Sequence, residues 1–176
     1  MTYTTAYDHW IRTYWEQWLP EEYGWLWGKA QLIAESSLDP NARSPAGALG
    51  LAQFMTKDPN TWSDVCEALN FPSFASPLDP QYAIHGFAWY MHECWKVWTA
   101  PRTPLDRLHL AQACYNAGTG NVLAAQRRAR ADGKPLANAY DDIAPYLPSE
   151  TYAYVVRIGA IYLSLSDLGV PSAPSA

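Results

Sequence analysis

The sequence predicts an all-α fold, and three of its features support that class. Apolar residues recur at the three- and four-residue spacing of amphipathic helices along most of the 176-residue chain. Prolines and glycines interrupt these runs at positions typical of helix ends. No run of useful length alternates apolar and polar residues as a half-buried strand would. The length suits one domain of ordinary size.

The first predicted helix covers residues 3–18 and carries a stripe of aromatic and apolar side chains. At helical spacing this stripe contains Tyr7, Trp10, Ile11, Tyr14, Trp15 and Trp18. We expect residues 1–20 to form an N-terminal helix that packs on a main domain of residues 21–168. Pro20 is expected to end this helix and to open a second one, which runs to Glu35. The segment 169–176 has little apolar content to bury and is expected to be a mobile tail.

Capping residues and prolines mark the starts of five further helices, and Asp79-Pro80 and Thr103-Pro104 are the clearest of these signals. The helices are expected over residues 61–69, 80–98, 104–118, 121–133 and 149–168, with Thr61 and Ser149 as further caps. The segment 138–148 is expected to be a loop.

Glu35 is the candidate general acid. Asp39-Pro40 blocks continuation of the second helix, so Glu35 lies at a helix C-terminal end, beside partially negative carbonyl groups. An apolar helix face lies behind it, and a loop rich in Gly, Ala and Ser follows. Desolvation and the helix dipole would both raise the pKa of a carboxyl group there, and a general acid must be protonated. The alternative is an ordinary exposed glutamate on a helix surface.

Four motifs follow one another along about residues 24–165. They are Glu35-Ser36 with Leu38-Asp39-Pro40, then Gly50-Leu51-Ala52-Gln53-Phe54-Met55, then Cys114-Tyr115-Asn116-Ala117-Gly118, and finally Leu147-Pro148 with Glu150-Thr151 and Tyr154-Val155. Together they resemble the motifs of the soluble-type lytic transglycosylases, in the lysozyme-like superfamily. The resemblance implies a lysozyme-like helical domain with a substrate cleft.

The same resemblance implies a reaction and its residues. Glu35 would protonate the glycosidic oxygen between N-acetylmuramic acid and N-acetylglucosamine. It would then act as base on the muramyl 6-hydroxyl, which gives a 1,6-anhydromuramyl end. The implied substrate-binding residues are Ser36, Gln53, Met55, Tyr115, Asn116, Glu150 and Tyr154. The Tyr115 hydroxyl is expected to bond Glu35 or the sugar. For the polar members, the alternative is a group buried only to hold helices together.

Two rival functions stay open beside this one. A lysozyme-type muramidase on the same fold would use water in place of the 6-hydroxyl, and the lack of an obvious second carboxylate argues weakly against it. A virion structural or glycan-binding protein would have kept the fold and lost the activity, and the intact set from Glu35 to Tyr115 argues against that. Three residues depart from the family pattern, namely Ala52, Thr56 and Cys114, and they leave fine specificity open.

The composition of the chain argues against two kinds of partner, nucleic acid and the membrane interior. The net charge of −5 argues against nucleic acid. No window approaches the roughly 20 apolar residues of a membrane helix, so no stable membrane insertion is expected. The expected partners are peptidoglycan glycan strands and, for a phage-encoded protein, other virion proteins. No signal peptide is apparent. We therefore expect the protein to be in a phage virion or in the host cytoplasm before release, and to act in the periplasm or cell wall. It would be a virion enzyme or an endolysin.

No metal and no cofactor is expected. The four histidines, His9, His85, His92 and His109, form no ligand-like cluster with acids or thiols. The three cysteines are odd in number and widely spaced, which is typical of neither a disulfide framework nor a zinc site. Cys66, Cys94 and Cys114 are therefore expected to be buried, reduced thiols.

Overall fold

The computed structural model describes residues 3–134 and 136–168, and in this part of the chain the predicted all-α class is confirmed. The helices are α1 (Asp8–Trp18), α2 (Leu26–Ser36), α3 (Thr61–Ala68), α4 (Pro80–Lys96), α5 (Pro104–Ala117), α6 (Thr119–Ala131), α7 (Tyr140–Ile143) and α8 (Ser149–Asp167). A 3-10 helix covers Ala144–Tyr146, and the strands β1 (Ala48–Leu49) and β2 (Phe54–Met55) form an antiparallel pair.

Local signals located most helix starts correctly. Asp79 Oδ1 accepts the backbone N–H of Gln81 at 2.9 Å, and Thr103 Oγ1 accepts that of Asp106 at 3.1 Å, as their positions before Pro80 and Pro104 predict. The cap of α3 is Asn60 in place of Thr61, since the Asn60 side chain accepts the N–H of Ser63.

Four segments differ from the sequence prediction. The first helix begins at Asp8 in place of residue 3, because residues 3–5 are irregular and residues 6–7 form a turn. Pro20 opens a turn in place of a helix, because the Tyr23 N–H donates to the Pro20 carbonyl. The Trp15 indole N–H donates to the Tyr23 carbonyl at 2.6 Å and holds this turn. Helix α2 therefore begins only at Leu26. The expected loop 138–148 contains α7 and the 3-10 helix. The two strands could not be predicted, because each has only two residues, too few to show alternating apolar and polar side chains. The predicted tail, 169–176, lies outside the described residues, and the domain boundaries stay predictions.

By internal contacts the chain divides into two compact units, and the first contains Met1–Tyr90 and Ile161–Ala176. In this unit α1 packs on α2, and the buried Trp15 ring lies so close to Gly28 that a Cβ there would be 2.5 Å from it. The Lys29 side chain is 2% exposed, and its Nζ lies 2.6 Å from Asp8 Oδ1. The N-terminal helix is therefore joined to α2 by packing and by a partly buried ion pair, in which the lysine is the buried partner.

The second unit contains Met91–Ala160. Here α5 packs against α6 and α7, and the buried residues of these helices are mostly small or aliphatic. They include Leu108, Ala111, Val122, Ala125, Ala129 and Ile143. Asp106 Oδ1 accepts the Tyr140 backbone N–H at 2.7 Å, which fixes the start of α7 against α5.

Candidate active site

Glu35 is the second-to-last residue of α2 and is half-buried. The helix ends there because Ser37 and Leu38 adopt left-handed backbone conformations, with φ of 57° and 63°. Such conformations cost non-glycine residues about 1–2 kcal/mol each. The buried side chain of Leu38 helps offset that cost. Glu35 is thus held at the carbonyl end of the helix, as its motif predicts, and the chain turns sharply away beyond it.

Ser36 joins the end of α2 to the second motif. Its Oγ lies 2.9 Å from the carbonyl oxygen of Leu51 and 3.3 Å from that of Leu32, one turn back in its own helix. Leu51 is fully buried, so the shorter bond satisfies a carbonyl in the interior. This contact agrees with the expectation that Ser36 bonds within the motifs. The bond fixes the second motif against the end of α2, one residue after Glu35.

The second motif forms a tight hairpin. Ala48 pairs with Met55 and Leu49 with Phe54 across the turn. Gly50 has a φ of +73°, and a Cβ on it would lie 1.9 Å from the carbonyl oxygen of Pro77. Its own N–H donates to the Ala42 carbonyl at 2.9 Å. Glycine suits this position because the backbone angle disfavours a side chain and the Pro77 carbonyl leaves no space for one.

Gln53 and Met55 lie on this hairpin, and both are half-buried. Gln53 has a φ of 51°, and its Nε2 donates to the Gly50 carbonyl at 2.9 Å, so one end of the amide is used within the turn. Met55 N–H donates to Thr61 Oγ1 at 3.1 Å, which uses the hydroxyl that was expected to cap α3. The hairpin therefore holds Met55 by its backbone N–H and Gln53 by its amide nitrogen, which leaves the Met55 thioether and the Gln53 side-chain oxygen for other contacts.

Asp39 is the carboxylate nearest to Glu35 in the sequence. It is exposed, and its Oδ1 accepts the backbone N–H of Asn41 at 2.9 Å. The same loop is closed further along, where Ser44 and Ala48 exchange two bonds of 3.0 Å. Asp39 thus holds the loop, as its Asp-Pro turn predicts.

The third motif lies in the second unit, at the end of α5. Tyr115 is half-buried, Asn116 is exposed, and Gly118, with a φ of +80°, ends the helix. Asn116 Oδ1 accepts the hydroxyl of Thr151 at 2.8 Å, and Thr151 is 2% exposed in the first turn of α8. Sequence reasoning did not select Thr151, although its place in the fourth motif was the available signal. This bond orients the Asn116 amide and joins the third motif to the fourth.

Glu150 and Tyr154 both lie on α8 but differ in exposure. Glu150 is exposed in the first turn, where a carboxylate interacts favourably with the helix N-terminus. The alternative of a buried polar group that only holds helices therefore does not apply to Glu150. Tyr154 is buried, with 9% of its surface exposed.

The cysteines are all free, and burial raises the pKa of each thiol, to about 11 for Cys114. Cys94 and Cys114 are buried as predicted, whereas Cys66 is only half-buried on α3. Within the described ranges, no group of three or more His, Cys, Asp or Glu side chains could hold a metal ion. None of the helices described is long and apolar enough to cross a membrane.

Comparison with known proteins identifies the family. The model of the Transglycosylase SLT domain matches residues 29–138, so the chain belongs to this family. The matched span includes Glu35 and the first three motifs, whereas the fourth motif lies beyond it.

Two curated relatives are similar in sequence. Membrane-bound lytic murein transglycosylase F 2 of Alkalilimnicola ehrlichii is 31% identical over 127 residues, which are 71% of this chain and 26% of that protein. Membrane-bound lytic murein transglycosylase F of Maricaulis maris is 31% identical over 119 residues, 68% of this chain and 24% of its own length. The chain therefore spans about a quarter of the curated relatives it matches.

Solved structures confirm the lysozyme-like fold. The 70 kDa soluble lytic transglycosylase of Escherichia coli superposes with a TM-score of 0.71 at 23% identity, over 97% of this chain and 25% of that one. An inactive glutamate-to-glutamine mutant of lytic transglycosylase Slt from Pseudomonas aeruginosa gives 0.72 at 24% identity, over 96% and 25%. A complex of the 70-kDa enzyme with bulgecin A gives 0.71 at 24% identity, over 96% and 25%.

Proposed function

We propose that this chain is a peptidoglycan lytic transglycosylase that cleaves the β-1,4 bond between N-acetylmuramic acid and N-acetylglucosamine. The observation that carries the proposal is the family match over residues 29–138, with Glu35 at the end of α2 and Ser36 bonded to the second motif. The names of the curated relatives support the same reaction. The inactive mutant of the Pseudomonas enzyme, in which glutamine replaces a glutamate, supports an essential glutamate.

In the proposed mechanism Glu35 acts first as acid and then as base. Its carboxyl proton passes to the glycosidic oxygen as the bond to the muramyl anomeric carbon breaks, and the glucosamine leaves with a 4-hydroxyl. The Glu35 carboxylate then takes the proton of the muramyl 6-hydroxyl, whose oxygen bonds to the anomeric carbon. Glu35 ends protonated, as it began, and no water is consumed. An internal hydroxyl has a high effective concentration, which removes the need for a positioned water.

The remaining candidates divide into positioning and contact residues. Ser36 and Asn116 are proposed to act by position, because the Ser36 hydroxyl already bonds Leu51 and the Asn116 oxygen already bonds Thr151. We assign direct substrate contacts to the other five members of the predicted set. In the first unit these are Gln53 and Met55, and in the second they are Tyr115, Glu150 and Tyr154.

Glu35→Gln tests the acid, with Asp39→Asn as the matched control. Glutamine is nearly isosteric but cannot donate this proton, so cleavage of purified walls should fall by at least about a hundredfold at unchanged melting temperature. Asparagine at 39 still accepts the Asn41 N–H, so the control should keep its activity. A Glu35→Gln chain that cleaves walls near the parent rate would exclude Glu35 as the catalyst.

Mass spectrometry of the products separates the proposed reaction from its rivals. A transglycosylase leaves 1,6-anhydromuramyl ends, whereas a muramidase on the same fold leaves reducing muramic acid. A parent chain that binds walls without cleaving them would be a glycan-binding or virion structural protein. The phage setting, in a virion or as an endolysin, is a further proposal, and its test is detection of this chain in purified virions.

A further inference from the structure

A groove outside the four motifs lies in the first unit, between the loop after β2, helix α3 and the segment 71–75. Its volume is about 300 Å³. Ligand pockets span roughly 300–1,000 Å³, so this one is the size for a single small group such as one sugar ring. The lining residues that matter are Asn60, Trp62, Ser63, Cys66, Phe71 and Ser73.

One side of the groove is aromatic and held in place. The half-buried Phe71 ring lies 6.0 Å from Trp62, and further contacts of 5.0 and 5.4 Å fix it against Tyr82 and His85. Trp62 packs in turn on Phe54 of β2, with 5.5 Å between ring centres. A preformed aromatic wall suits the C–H face of a pyranose, because binding then costs little ordering of the protein.

Another side of the groove is polar. Asn60 Oδ1 accepts the Ser63 N–H at 3.0 Å, which fixes the orientation of the amide and leaves its Nδ2 donors for a ligand. The exposed Ser63 and Ser73 add hydroxyl groups that can both donate and accept. Amide and hydroxyl groups of this kind complement the hydroxyls and the acetamido group of an N-acetylated sugar.

The lining is electrically neutral. None of the described residues that line the groove is charged, although Lys57, Asp58, Asp64 and Glu67 are exposed in the adjoining loop and helix. Cys66 adds no charge either, since burial raises the pKa of its thiol and keeps it protonated at neutral pH. A neutral lining offers no ionic partner to the carboxylates and ammonium groups of a peptide stem, so it favours the uncharged N-acetylglucosamine over a peptide-bearing muramyl residue.

We propose that this groove is a glycan subsite that binds one N-acetylglucosamine unit of the strand. The choice of a glycan strand as ligand rests on the proposed function, and the neutral, aromatic and amide-bearing lining selects the sugar within it. The groove begins at Thr56, directly after Met55, so it would extend substrate recognition beyond the motif residues of the first unit.

Protection of Cys66 from alkylation tests the subsite without relying on catalysis. Cys66 is a specific reporter because the other two cysteines are buried. The Glu35→Gln chain is treated with iodoacetamide, with and without chitotetraose, and modification of Cys66 is followed by mass spectrometry. At a chitotetraose concentration about tenfold above its Kd, the unliganded fraction and the alkylation rate should both fall about tenfold. Cellotetraose, which lacks the acetamido groups, should protect much less.

Matched variants show whether the protection comes from this groove. Phe71→Leu removes the aromatic wall, and Ser73→Tyr, at an exposed position, fills the space, so both should abolish protection. Phe74→Leu is the control, because Phe74 is 76% exposed and does not line the groove. Melting curves of all three variants check that the fold is retained, and Ser73→Tyr keeps the test valid should Phe71→Leu unfold.

The outcomes separate this proposal from the proposed function. Alkylation unaffected by chitotetraose, in a chain whose parent cleaves walls, would overturn the subsite and leave the enzyme standing. Protection that persists in both Phe71→Leu and Ser73→Tyr would also overturn it, because the sugar would then act from elsewhere. Protection lost in both variants and kept in Phe74→Leu supports the subsite, even if the parent chain cleaves no wall.

Discussion

Gly50→Ala is expected to destabilise the protein far more than Gly47→Ala, although both glycines have positive φ and lie in or beside the same hairpin. At Gly47, with a φ of +93°, a Cβ would meet no atom within 4 Å. At Gly50, with a φ of +73°, it would lie 1.9 Å from the Pro77 carbonyl oxygen. The pair therefore separates the cost of a backbone angle from the cost of a steric overlap.

The magnitudes follow from these two environments. A left-handed conformation costs alanine about 1–2 kcal/mol, and this is the whole expected effect at Gly47. At Gly50 the overlap involves backbone atoms that cannot rotate away, so the hairpin must move and strain the bond from Gly50 N–H to the Ala42 carbonyl. Loss of that bond and of neighbouring packing adds about 2–3 kcal/mol. For a chain of this size, the added term corresponds to a melting temperature roughly 4–12 °C below that of Gly47→Ala.

Thermal unfolding of both variants, followed by circular dichroism in one buffer, measures the difference. Wall cleavage per folded molecule should fall in Gly50→Ala and hold in Gly47→Ala, because Gly50 adjoins the Leu51 carbonyl that Ser36 bonds. Melting temperatures within about 2 °C of each other would refute the argument, since they would mean that Pro77 yields to the new methyl group at almost no cost.

Two further predictions concern buried partners. Asp8→Ala leaves the Lys29 ammonium buried without its carboxylate and should cost about 3–5 kcal/mol, measured by urea unfolding. Lys29→Met should lower the free energy of unfolding clearly less, because an apolar chain of similar length fills the space and Asp8, at 22% side-chain exposure, can turn to water. A larger loss for Lys29→Met than for Asp8→Ala would contradict this account. Thr151→Val removes the donor to Asn116 at constant shape, and should lower turnover about fivefold, as loss of about 1 kcal/mol predicts. Thr151→Ser keeps the hydroxyl and should stay near the parent rate, and equal rates for the two variants would show that this bond does not orient Asn116 for activity.

Helix starts could be predicted from the sequence because their signals are local. A capping side chain followed by proline acts within one turn, so α4 and α5 begin where Asp79-Pro80 and Thr103-Pro104 place them. The short α7 could not be predicted in this way. Its first N–H is satisfied by Asp106, a residue 34 positions earlier in the chain, and no pattern within residues 138–148 reveals that partner.

The candidate site divides along the same line. The motifs selected Glu35, and the nearby Asp39-Pro40 signal predicted a helix end there. In the structure α2 ends earlier than Asp39, at the left-handed Ser37 and Leu38. The hydrogen bonds that hold the site are visible only in the tertiary structure, because Ser36 bonds a carbonyl 15 residues away and Asn116 bonds a hydroxyl 35 residues away. The sequence names the side chains that can bond, but only the packed chain determines which of them meet.

Lys29 and Gly50 show how far the sequence by itself determines this protein. Composition, periodicity and motif order determined the helical class, the family resemblance and the candidate acid, because each depends on residue types at fixed short spacings. A lysine within a helix is ordinarily exposed, and a glycine in a turn is ordinarily explained by its ability to adopt a positive φ. Tertiary structure alone buried Lys29 against Asp8 and set Gly50 against the Pro77 carbonyl. Contacts between distant segments form only when those segments pack, so they leave no pattern in the local sequence.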